Sequence, residues 1–204
     1  MLKDLLQNER LEHYLCENEL INYSSPIIQA LVEELFEGAD DEREKVKRAF
    51  TFVRDQIAHS WDIQSKRITC CASEVLQYQE GICYAKSHLL AALLRATGIP
   101  TGFCYQRLML FDTPEKGYCI HALNAVYFEA LKRWVRIDAR GNKPGINAQF
   151  STVKEQLAFA IQPDYDEIDY PTIYAWPNSK TVVVLKKNNN ALAMYMNALP
   201  EYLQ

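Results

Sequence analysis

From residue 83 to residue 97 the chain reads Cys-Tyr-Ala-Lys-Ser-His-Leu-Leu-Ala-Ala-Leu-Leu-Arg-Ala-Thr, a helical segment with almost no polar face. A helix that is apolar nearly all round is stable only when other elements cover it on every side. The fold must therefore be assembled around this segment. Gly98 and Pro100 end it in the order expected at a helix C-terminus, and Glu80-Gly81 separates it from a short helix predicted over 69–77 with Val75 and Leu76 inward.

The covering material is legible on both sides. Upstream, apolar residues at 27, 28, 31, 32, 35 and 36 recur with helical spacing behind Pro26 and stop at Gly38. Asp40-Asp41 then opens a second helix with a buried stripe of Val46, Ala49, Phe50, Val53 and Ile57. Downstream of Pro100 the pattern changes to aromatic and β-branched runs over 101–111, 118–128 and 133–138, separated by turn residues at 112–117 and 129–132. Three strands joined by short turns predict an antiparallel meander, and helices packed on it give an α+β fold. At 204 residues, 49% hydrophobic and 24% charged, the chain reads as a single domain over 1–204.

Both ends are less constrained. Residues 1–10 carry charges where a signal peptide has its apolar core, so they read as a helix of the mature protein, and a cytoplasmic location is expected. A further helix is predicted from about 151, with Glu155 three residues after Thr152 as a capping-box signal. The acidic, proline-punctuated stretch 162–178 is expected to wrap the surface without regular structure. Its Tyr165, Tyr170 and Tyr174, with Asp164, Asp166, Glu167 and Asp169, fit either a lid or ordinary surface. The last 25 or so residues read as two short helices split at 188–190, although Val182, Val183 and Val184 fit a strand equally well.

Composition narrows the function classes. With 22 Lys+Arg against 26 Asp+Glu the net charge is −4, the wrong balance for a nucleic-acid footprint. No run approaches the roughly 18 apolar residues of a membrane span. Six cysteines are too few for a disulfide scaffold of this length, and without Cys-x-x-Cys or clustered histidines no metal and no cofactor is expected. The absence of a local resolving cysteine also weakens a redox reading. Cys70, Cys71, Cys104 and Cys119 are assigned to packing.

Cys83 is different because it stands at the junction of a glycine-containing turn and a helix N-terminus. Unpaired backbone N–H groups and the positive end of the helix dipole favour a thiolate over a thiol there, which makes Cys83 the candidate nucleophile. Such a nucleophile needs an imidazole to carry its proton and a carboxylate to orient the ring. His121 lies in the second predicted strand and Asp138 ends the third. A turn centred near Ala130 would set them close to opposite one another. For the oxyanion, Gln77, six residues before Cys83, resembles in its offset the oxyanion-hole glutamine of papain-like enzymes, Gln79 is an equal competitor, and the backbone N–H of Cys83 is a donor in its own right. His88 points about 140° away from Cys83 on the helix and is left out of the site. His59, beside Trp61, reads as cleft-rim packing, and Lys86 as a solvated lysine one turn from the nucleophile.

In order, Gly81-Ile-Cys83, then Leu94-Arg95-Ala-Thr-Gly98-Ile99-Pro100, then His121-Ala-Leu-Asn124-Ala-Val, then Trp134-Val-Arg-Ile-Asp138 resemble the transglutaminase-like superfamily over about residues 45–140. The resemblance implies a papain-like fold in which Cys83 is nucleophile, His121 general base and acid, and Asp138 the orienting carboxylate. It implies attack on an amide of a peptide, protein or small-molecule substrate through a thioester, with hydrolysis favoured over transfer to an amine. The alternative is a domain of the same fold that has lost turnover and serves as a binding or assembly module. Two positions depart from the family pattern. Leu123 stands where the family commonly has tryptophan, removing an aromatic wall from the expected cleft. Arg140-Gly141 follows Asp138 where Pro and Thr are frequent, and Arg140 either binds a substrate carboxylate or pairs with an acidic neighbour.

Overall fold

The computed structural model describes residues 5–8 and 10–203. In chain order its elements are β1 (Leu5–Leu6), a 3-10 turn at Leu11–Tyr14, α1 (Pro26–Leu35), α2 (Glu42–Gln56), β2 (Ala58–His59), α3 (Ala72–Tyr78), β3 (Glu80–Gly81) and α4 (Cys83–Ala96). There follow β4 (Thr101–Met109), β5 (Tyr118–Phe128), β6 (Arg133–Ile137), β7 (Ile168–Asp169), β8 (Thr172–Ile173), α5 (Ser179–Lys187) and α6 (Ala191–Asn197).

The apolar helix sits where its composition demands. Every residue of α4 from Cys83 to Arg95 is buried, with α1, α2 and α3 on one side and the sheet on the other. Its leucines meet Val46, Ala49, Phe50 and Val53 of α2 and Ile120, Ala122 and Val126 of β5 in one core. Each fully buried Leu contributes roughly 1.5–3 kcal/mol, so this helix is the main apolar support of the fold. Gly98 takes φ +77 just beyond the helix, a left-handed turn that residues with a Cβ rarely adopt, and Arg95 anchors the same end through Thr101 O, Ala175 O and Cys16 O.

The predicted meander forms as β4–β5–β6, all antiparallel, and β7 adds a fourth strand in the order β6-β5-β4-β7. Asn124 Nδ2 donates to Ser87 O at 3.1 Å and Gly102 O at 3.2 Å, tying α4 to the sheet from within the core. Two smaller parallel ladders complete the pairing, β1 with β8 and β2 with β3.

Several expectations for the ends are corrected. In place of a helix over 1–10, Leu5–Leu6 are a strand, and Leu6 packs on a small cluster with Tyr14, Leu123 and Ile173; residues 1–4 and 9 lie outside the described residues. No helix starts near Ser151, because Glu155 gives both carboxylate oxygens to Arg136 while Ser151 Oγ accepts from Val153 N and Lys154 N in a local turn. The 162–178 stretch is not wholly irregular, since β7 and β8 use it to extend pairing along β4 and β1. At the C-terminus the helical alternative is the one adopted: α5 and α6 form, each capped by an asparagine side chain, Asn178 and Asn190. Among the described residues no helix is long and apolar enough to cross a membrane.

Candidate active site

Gly81 is closely packed: a Cβ there would stand 3.0 Å from Thr69 Oγ1 and 3.2 Å from Ala85 Cβ, so its neighbours would have to give by a few tenths of an ångström. Thr69 Oγ1 donates to Glu80 O at 2.9 Å, fixing the turn, and β2 runs parallel beside it with His59 opposite Gly81. Ile82 is extended at φ −76, ψ 171, and Cys83 is the first residue of α4. Its backbone N–H is thus one of the donors for which a helix has no partner. The first turn of α4 is held on β5 by Tyr84 Oη, which donates to Ile120 O at 2.7 Å. Cys83 is thereby fixed beside residues 119–121.

His121 comes from β5 and Asp138 from the end of β6. The β5–β6 register runs from Phe128↔Arg133 to Asn124↔Ile137, so its continuation sets Asp138 opposite Leu123, two residues from His121. A turn centred on Ala130 would set Asp138 opposite Ala122, so the observed register lies one residue from that expectation. The pair still shares a face, and diagonal neighbours on one face are within reach of long side chains. His121 Nε2 lies 2.8 Å from Asp138 Oδ2, and the Cys83 thiol lies against the same imidazole. With Nε2 taken by Asp138, Nδ1 is the atom left to meet the sulfur.

All three side chains are buried or nearly so, at 8%, 4% and 1% exposure for Cys83, His121 and Asp138. Burial works to lower the pKa of His121, but the charge of Asp138, with a contribution from Cys83, overrides it and pushes it up to about 10. Burial likewise works to raise that of Asp138, and His121 together with the backbone N–H groups of Ala158 and Arg140 holds it below the usual carboxylate range. The arrangement sets one imidazole between a buried carboxylate and the residue at the start of α4.

Cys83 and His121 line a cleft of about 440 Å³ whose walls are strongly aromatic, with Asp138 buried behind the imidazole. Trp61 stacks on Tyr195 of α6 at 4.6 Å, Phe111 closes on both rings, and Phe159 meets His121 edge-on at 5.0 Å. Leu123 is not part of this wall. It is buried with Tyr14 and Trp134 in the smaller cluster, so its departure from the family pattern leaves the cleft aromatic.

Other predicted positions divide clearly. Gln77 and Gln79 are both exposed and neither lines the cleft, because α3 turns its Ala72 and Val75 face inward and leaves this end outside. The oxyanion expectation for Gln77 is corrected accordingly, and the Cys83 N–H remains. Arg140 is buried and forms a two-pronged pair with Asp62, which also accepts from Lys143 at 2.6 Å, while its backbone N–H donates to Asp138 Oδ1 at 3.1 Å. Pairing with an acidic neighbour is thus its role. Lys86 is not solvated: it is 1% exposed with Nζ donating to Ile57 O, and burial, reinforced by Arg140, pushes its pKa down to about 7. His88 lies away from the cleft, its Nδ1–H donating to Cys70 O at 2.7 Å.

The structure adds cleft residues that sequence reasoning missed or set aside. Cys119 lies two residues before His121 on the same strand and lines the cleft, as does Glu167, whose carboxylate accepts from Met109 N and Gln162 N. Period-two spacing from His121 was the available signal for Cys119. Phe111 and Tyr195 carried no such signal, since they reach the cleft from a turn and from the distant C-terminal helix.

The family model of the transglutaminase-like superfamily matches residues 29–139. A candidate cysteine protease from Cytophaga hutchinsonii has a similar fold, with a TM-score of 0.53 and 18% identity over 65% of this chain and 43% of that one. The periplasmic domain of TgpA from Pseudomonas aeruginosa matches with a TM-score of 0.47 and 17% identity over 63% of this chain and 46% of that one. A TGase structure matches with a TM-score of 0.48 and 19% identity over 87% of this chain and 51% of that one. The chain spans about half the length of these proteins or less. No curated protein matches it.

Proposed function

The chain belongs to the transglutaminase-like superfamily, and from that premise we propose that it is a cysteine-dependent acyl-transfer enzyme that cleaves an amide or peptide bond. The Cys83 sulfur adds to the carbonyl carbon, and the tetrahedral adduct collapses to a thioester as His121 gives its proton to the leaving amine. Water then attacks the thioester, losing a proton to His121, and the acid departs as Cys83 is regenerated. The observation that supports this reading is the His121 imidazole held by Asp138 at 2.8 Å, with Cys83 near enough to act on the same ring.

Water is favoured as acceptor on the chemistry of the cleft. The buried carboxylate of the cleft, Glu167, already accepts from Met109 N and Gln162 N, which argues against its holding an ammonium acceptor. The volume and aromatic walls suit a side chain or short peptide segment as acyl donor. The alternative is a binding module of the same fold that has lost turnover; Leu123, the departure from the family pattern that favoured it, packs outside the cleft.

The test needs no known substrate. Native protein is labelled with iodoacetamide from about pH 5 to about pH 9 and read by mass spectrometry, the other five cysteines serving as controls. Cys83 is expected to label fastest at the acid end, and His121→Ala to abolish that advantage. Labelling of Cys83 no faster than the other buried thiols would sink the catalytic reading and favour the binding module.

A further inference from the structure

His59 is 4% exposed, lines the cleft, and has its Nδ1 sealed from solvent without a hydrogen-bond partner. A buried polar atom left in this state costs stability unless the ring serves another purpose. An unsatisfied buried N–H is harder to tolerate than an unsatisfied lone pair, so the ring proton belongs on Nε2, the nitrogen that remains for the cleft. Burial, together with the positive Arg140 nearby, holds the imidazole well below its ordinary pKa and therefore neutral; Lys86 and His121 act in the same direction, and Asp62 alone opposes them. The β2–β3 ladder places His59 opposite Gly81, with Ser60 N donating to Gly81 O at 3.2 Å, so its strand runs alongside the turn that delivers Cys83.

We propose that His59 is a catalytic oxyanion donor: its Nε2–H and the backbone N–H of Cys83 together hold the negatively charged oxygen formed when the Cys83 sulfur adds to a carbonyl. This rests on Cys83 being the nucleophile. As the sulfur–carbon bond forms, the carbonyl π pair moves onto oxygen and is met by the two donors. When the pair returns, the amine leaves with a proton from His121. His59 keeps its own proton throughout, which a neutral imidazole does and an imidazolium beside His121 would not. The role expected of Gln77 thus passes to a residue from a different element.

Two reagents separate this role from a structural one. Iodoacetamide alkylates a thiolate by displacement and forms no oxyanion, whereas p-nitrophenyl acetate acylates through a tetrahedral one. In His59→Ala, acylation of Cys83 is expected to slow about a hundredfold or more while alkylation is unchanged, and His59→Gln, which retains an N–H donor, is expected to recover part of the loss. Equal acylation rates in wild type and His59→Ala would overturn the proposal, as would a parallel fall in both reactions. A loss in Trp61→Phe with none in His59→Ala would move the donor to the indole and overturn it as well. If wild-type Cys83 shows no acid-pH alkylation advantage, the nucleophile reading itself fails and this proposal falls with it. A measurement on unaltered protein stands beside these: ring nitrogen NMR of His59 is expected to show the neutral Nε2–H form at neutral pH, and an Nδ1–H or charged ring would overturn the assignment.

Discussion

At the scale of single residues, Asp138 and Lys86 are two buried charges one helix turn and one strand end from Cys83, and they bend the pH dependence of stability in opposite directions. Asp138 accepts from His121, Arg140 N and Ala158 N, so Asp138→Ala strands three donors and is expected to cost about 3 kcal/mol at pH 6 by urea unfolding. His121 has its folded-state pKa raised, so its contribution is complete below about 6.5 and is lost as pH rises through about 10. Lys86 has its folded-state pKa lowered to about 7, so the unfolded chain binds more protons between there and its usual value near 10.4, and stability rises with pH across that window. The two slopes oppose each other in the wild type. Lys86→Met is expected to leave a protein that loses stability from pH 7 to pH 10, and Asp138→Ala one that gains it. Unfolding curves with the same slope in both variants would remove one of the two buried groups from this account.

At the scale of elements, the site depends on how α4 is clamped at its two ends. The N-terminal end is held by Tyr84 on Ile120 O and by the β2–β3 ladder, the C-terminal end by Arg95. Arg95 is 3% exposed and its guanidinium joins Thr101 O, Ala175 O and Cys16 O, which belong to three separate stretches of chain. Arg95→Met keeps the volume but strands those carbonyls, and a loss of about 3 kcal/mol or more is expected in denaturant unfolding, with Cys83 alkylation preserved in the folded fraction. The helix, the meander and the order of Cys83, His121 and Asp138 were legible in the sequence because each follows from local periodicity and punctuation. The one-residue shift in the β5–β6 register was not, because the turn at 129–131 is a 3-10 turn followed by a left-handed Lys132. The missing helix at Ser151 has the same lesson: the capping signal is local, but Arg136 on β6 competes for Glu155 and wins.

At the scale of the whole molecule, the cleft is closed by chain distant in sequence. Tyr195 on α6 stacks over Trp61, and Pro200 O accepts from Ile120 N beside the nucleophile's neighbours on β5. Tyr195→Ala is expected to widen this mouth, raising Cys83 labelling by a bulky maleimide more than labelling by iodoacetamide while changing stability by only about 1–3 kcal/mol. An equal change for both reagents would mean that α6 does not control access. The sequence by itself determined the α+β class, the buried helix and the three chemical groups, since these depend on periodicity, on turn residues and on the chemistry a thiol requires of its neighbours. Only the tertiary structure decided which side chains became the cleft. Burial of Lys86, exposure of Gln77, diversion of Leu123 to another cluster and the unpartnered Nδ1 of His59 are set by contacts between elements, and no local pattern in the chain encodes a contact between elements distant in sequence.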